Sequence, residues 1–147
     1  MALVNATESH RFDPNPHGAP LYVLLIIVFS QFCGTSLWFA SNGIMAPLTN
    51  AFDLLSGALS HLTSSVQFGF ISGTLLFAIL TLADRFSPSR LFFLSAFLGA
   101  LANLGMAWEG NTFTSLLVLR FLTGFFLAGI YPVGMKIASD YYEKGLG

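Results

Sequence analysis

Charge is what this sequence has least of. Only 9% of its 147 residues are Asp, Glu, Lys or Arg, against roughly a quarter in an ordinary soluble domain. That is too few to cover a globule of this size with a wettable surface, so the expected solvent is a lipid bilayer. The charges nearly cancel, to a formal net of −1, which argues against the basic face that a nucleic-acid binder presents. A single cysteine, Cys33, precludes an internal disulfide and carries no information about redox compartment. His10, His17 and His61 have none of the spacings that ligate a metal, so neither a metal site nor a cofactor is expected. Hydrolase, metalloprotease and phosphate-cradling motifs are missing, and only Arg120 is ionisable inside an apolar run. These absences leave no constellation for an enzyme.

What the chain does have is apolar sequence, 54% hydrophobic with a mean hydropathy of +0.72. It is gathered in four runs, at about 21–48, 62–83, 91–108 and 113–137. Crossing roughly 30 Å of hydrocarbon takes about 20 helical residues. The first, second and fourth runs reach that length, and the third stands near the lower limit. The expected fold is an all-α membrane protein with four transmembrane helices. Residues 1–19, broken by Pro14, Pro16 and Gly18, read as a flexible tail, and residues 20–147 as one helical unit. The tail is barely basic and the run behind it too long for a cleaved signal peptide.

Lys and Arg mark the cytoplasmic side of a membrane protein. With four spans, the tail, the 84–90 joint and the C-terminal segment share one side, together with Arg11, Arg85, Arg90, Lys136 and Lys144. The opposite side holds the 49–61 connector and the Glu109 turn and has no Lys or Arg. Both termini are therefore expected in the cytoplasm.

The first run is not uniformly apolar. Gln31, Thr35 and Asn42 are spaced by four and seven residues and share a helix face, with Trp38 beside them. Such a stripe serves either hydrogen bonding between helices or the lining of a solute path. The second run carries Gly69 and Gly73 one turn apart, a spacing that lets a neighbouring helix approach closely. Gly124 and Gly129 offer small surfaces on the fourth run, and Pro132 should kink it. Arg120 is the residue that most needs a purpose. A charge deep in a membrane helix costs about 2.5–3.5 kcal/mol on insertion scales. It would bind an anionic solute, tune a proton-carrying carboxylate, or bond to polar groups such as Gln31 or Asn42. Asp84 lies where the helix dipole is already negative. Arg85, Arg90 or the N-terminus of another helix would compensate it, or solvent would.

Two segments resemble the major facilitator superfamily of secondary transporters. The loop between that family's second and third helices reads G-x-x-x-D-R/K-x-G-R-R/K. Here Asp84 and Arg85 match, Leu80 and Ser87 replace the glycines, Pro88 and Ser89 replace the basic pair, and Arg90 follows one place later. The family's fourth helix carries R-x-x-x-G, here Arg120 to Gly124, followed by Ala128 and Gly129. The resemblance covers about 21–147 and implies the first four helices of a twelve-helix fold built as two halves. It implies transport of a small solute by alternating access, coupled to protons or another ion, in the plasma membrane. Helices one and four line the family's cavity, so Arg120, Gln31, Thr35, Trp38 and Asn42 become substrate or coupling candidates. Asp84, Arg85 and Arg90 become gating-loop candidates, and Gly69, Gly73, Gly124 and Gly129 packing positions. Four helices cannot rock one half against another, so the resemblance also implies a missing remainder of about eight helices. The competing expectation is a stand-alone four-helix scaffold or assembly protein. A third, a small homo-oligomeric exporter, would call for an acidic residue within a span and a balanced charge distribution.

Overall fold

The computed structural model describes residues 21–43 and 57–141. All regular structure among them is helical: α1 (Leu21–Gly43), α2 (Ala58–Ile79), the single turn α3 (Leu82–Arg85), α4 (Pro88–Gly105), α5 (Phe113–Leu127) and α6 (Tyr131–Tyr141). Three stretches are long and apolar enough to cross a membrane: Tyr22–Phe39, Ala58–Ile79 and Phe113–Asp140, the last running through α5 and α6. The helix α4 is 18 residues long, with Arg90 in its first turn, and is not among the three. Large apolar side chains stand on the outer surface, Phe32 and Phe93 each 70% exposed. Water would not tolerate that surface, whereas a bilayer does. The protein is an integral membrane protein.

The helices α2 and α5 form the centre. His61 meets Phe113, Ser65 Oγ donates to the Leu117 carbonyl at 2.7 Å, Gly69 faces Phe121 and Gly73 faces Phe125. Each pair is 52 residues apart, so the two helices run parallel in a constant register. Glycine makes the approach possible. A Cβ on Gly69 would lie 2.1 Å from the Phe121 carbonyl oxygen, and one on Gly73 2.5 Å from that of Phe125. From the other side, a Cβ on Gly124 would lie 2.0 Å from the Val66 carbonyl oxygen. Phe68–Phe121 and Phe77–Phe125 ring contacts, both at 5.9 Å, flank this seam.

The helix α4 runs the other way. Gly105 lies against Leu119, Gly99 against Phe126 and Ser95 against Gly129. The α4–α5 turn is closed by side chains. Asn111 Nδ2 donates to the carbonyls of Gly105 at 2.9 Å and Met106 at 3.3 Å, satisfying the end of α4. Thr112 and Ser115 form a reciprocal capping box at the start of α5. Beneath this turn Leu62, Met106 and Leu116 form a buried cluster.

Several boundaries differ from those read in the sequence. The second helix begins at Ala58, four residues before Leu62, because both residues lie on its buried stripe. It ends at Ile79, since Thr81 adopts a left-handed backbone with φ 48°. The third begins at Pro88, where a missing amide costs no helical bond. The fourth run is two helices. Ala128, Gly129 and Ile130 bond three residues back, to Phe125, Phe126 and Leu127, and α6 starts anew at Tyr131. Residues 1–19 and 44–48 of the sequence reading lie outside the described residues.

Candidate functional site

A cleft of about 250 Å³ opens between α1, α2 and the α5–α6 junction. Thr35, Trp38, Phe39, Phe70, Leu127 and Tyr131 line it. Trp38 is held edge-on to Phe70 with ring centroids 6.0 Å apart. Thr35 Oγ1 donates to the Gln31 carbonyl at 2.8 Å, which leaves its lone pairs as the hydroxyl's remaining capacity. The surface is thus mostly ring and aliphatic.

Of the polar stripe expected on the first helix, Thr35 and Trp38 share this cleft, but Gln31 does not. Its Nε2 donates to the Tyr131 carbonyl at 3.3 Å, and its side chain fills the notch left by Gly134. Gln31 also lines a separate cavity of about 230 Å³ with Ile26, Ile27, Ser30, Ser89 and Phe92. Asn42 lies in α1, and its side chain is outside the described residues.

Arg120 is fully buried, on the same stripe of α5 as Leu116, Thr123, Gly124 and Leu127. This is the face that α5 presents to α2 at Gly124, and Arg120 is not part of the lining of the Trp38 cleft. Asp84 pairs with Lys136 of α6. Neither Arg85 nor Arg90, the partners offered by sequence proximity, takes that place, and both are exposed. The pair lines a cavity of about 180 Å³ together with Thr74, Phe77, Thr81, Ala128, Pro132 and Val133. Gly129 is filled in from α4 and α2, a Cβ there falling 2.0 Å from Ser95 Oγ and 2.7 Å from Phe77.

The profile described as Major Facilitator Superfamily matches residues 27–146. The chain belongs to the Major Facilitator Superfamily. No curated protein and no solved structure matches it.

The superfamily's members are membrane transporters, and the match runs from Ile27, in the second turn of α1, through the end of α6. Within it, the Asp84–Arg85 segment forms α3, a single turn set between the left-handed Thr81 and the extended Phe86. That geometry swings the Asp84 carboxylate towards α6. Lys136 is the site residue that sequence reasoning missed. No local feature of the sequence signals it; the 52-residue offset seen where α2 meets α5 carries on to Asp84 and Lys136.

Proposed function

We propose that the chain forms part of a secondary transporter that moves a small solute by alternating access, coupled to protons or another ion. The observation that carries this is the Trp38 cleft, which α1 shares with the α5–α6 junction. Those are the helices that the family resemblance assigns to the central cavity. In this reading Thr35 and Trp38 contact the solute, and Arg120, buried on α5 outside the cleft lining, is the charge that senses the solute or the coupling ion. The loop of Asp84, Arg85 and Arg90 gates the inner side.

Four spans are favoured by direction as well as by composition. The helices α2 and α5 lie side by side and parallel. A chain that crosses the bilayer twice in the same direction must return between, and α4 is the antiparallel segment that does so. At 1.5 Å per residue its 18 residues reach about 27 Å, enough for a tilted or locally thinned crossing. These four spans correspond to the first four of the family's fold, with the other helices of the two-half machine outside these 147 residues. The basic residues Arg85, Arg90 and Lys136 gather at one end, and that bias supports cytoplasmic termini; the plasma membrane is taken from the family resemblance.

The test is transport itself. This chain, and the chain continued through its reading frame, would be expressed in cells and followed for uptake or efflux of labelled anions, sugars and drugs. Movement of at least one solute class by the continued chain is expected. Silence of both across the panel would remove the reading.

A further inference from the structure

We propose that α6 is a lever that pivots on Ala128–Ile130 separately from α5, and that it couples the Trp38 cleft to the Asp84 joint. The inference concerns this chain's own mechanics and does not depend on which solute fills the cleft.

The pivot is a true interruption. Three successive amides bond three residues back, at 3.0–3.3 Å, and Pro132 has no amide with which to reach Ala128. Helical hydrogen bonding therefore does not carry through from α5 to α6. The pivot is also pinned. Gly129 is packed against Ser95 and Phe77 with no room for a methyl group, and Ala128, Gly129 and Ile130 are all buried. A break held in place at its centre permits rotation of the arm without displacement of the joint.

The arm is held differently from α5. The α2–α5 seam is backbone against backbone for about two turns, Val66 to Gly73 on α2 against Phe121 to Phe125 on α5. Among the described polar contacts, two side chains hold α6, one on each flank. Gln31 of α1 donates to the Tyr131 carbonyl and fills the Gly134 notch, and Asp84 of α3 pairs with Lys136. The arm otherwise packs against α4 and α1, with Val133 buried. Beyond them Met135, Ser139 and Asp140 are exposed.

The same short helix touches both places of interest. Tyr131 lines the cleft beside Trp38 and Thr35, and Lys136 lines the cavity at Asp84. An occupant that displaces Tyr131 turns the rigid arm and changes the distance between Lys136 and Asp84. Conversely, release of Asp84 frees the arm to open or narrow the cleft.

Amide hydrogen exchange of the chain in lipid nanodiscs tests this. Gln31→Ala and Asp84→Asn are each expected to speed exchange at least fivefold across 131–141 while 58–79 and 113–127 keep their rates. Pro132→Ala, which restores the missing donor and favours folding, is expected to slow 131–141 towards the rate of α5. Thr35→Trp, which fills the cleft beside Tyr131, is expected to speed exchange at 136–141. Acceleration of α5 and α6 together in the latch variants, no change in either, or indifference to Pro132→Ala would overturn the lever. A Thr35→Trp variant with unchanged exchange at 136–141 would overturn the coupling.

Discussion

Gly124 on α5 and Val66 on α2 touch through their backbones: a Cβ on Gly124 would lie 2.0 Å from the Val66 carbonyl oxygen and 3.0 Å from the Phe70 amide nitrogen. No rotamer change relieves a clash with main chain, so the helices must separate. Gly124→Ala and Gly69→Ala are each expected to destabilise the fold by about 1–3 kcal/mol or more, the cost of overpacking. Gly99→Ala is the control, since its Cβ meets only side-chain atoms, at 3.4 Å. Alanine also gains about 1 kcal/mol in helix propensity over glycine, so that variant should be neutral or stabilising. Denaturation by SDS in mixed micelles reads all three. Equal losses in the three variants would contradict the backbone seam.

Gly69 and Gly73 were legible as a close-packing pair because the spacing itself is local. Their partner was not, since the 52-residue register between α2 and α5 is a property of two helices brought together by a third. The same register explains why Asp84 was matched in sequence to Arg85 and Arg90, its near neighbours, while the fold gives it Lys136. Gln31 announced a polar face but not that Gly134 opposite would leave it a notch. Pro132 marked a disturbance in the last run, and the interruption falls just before it because the amides that precede proline turn to three-residue bonding. In each case composition and period told which face matters, and the neighbour came only from tertiary packing.

Thr81 offers a stability gain. It ends α2 with φ 48°, ψ 41°, a conformation that is costly for a β-branched residue and free for glycine. The family's first loop glycine aligns instead with Leu80, whose φ of −80° needs no glycine. Thr81→Gly is therefore expected to stabilise the chain by about 1 kcal/mol, while Leu80→Gly should not. A thermal-unfolding comparison of the two variants in the same detergent checks the assignment. A gain from Leu80→Gly alone would move the left-handed residue one place back.

Orientation is tested by labelling. In a Cys33→Ser background, needed because Cys33 is exposed, single cysteines at Phe86 or Ser89 should resist membrane-impermeant maleimide added outside intact cells. Both should react once the membrane is opened. A cysteine at Glu109, at the other end of α4, should show the reverse. Labelling of Phe86→Cys from outside would invert the topology drawn from the basic residues.

Arg120 separates packing from chemistry. It is fully buried on the α5 stripe that faces α2, so its removal affects both. Arg120→Met keeps most of the length and apolar stem while deleting the charge. Arg120→Lys keeps the charge but loses the planar fork. If the guanidinium serves the solute or the coupling ion, Arg120→Met should insert and melt like the parent, yet lose at least a hundredfold in transport rate by the continued chain. Arg120→Lys should retain little more, because an ammonium cannot reproduce the geometry of the fork. Arg120→Ala should lose transport while membrane insertion persists, with lower stability from the emptied volume. Parental transport by Arg120→Met would show that the arginine is there to fill space beside Gly124, and the site would then reduce to the rings around Trp38.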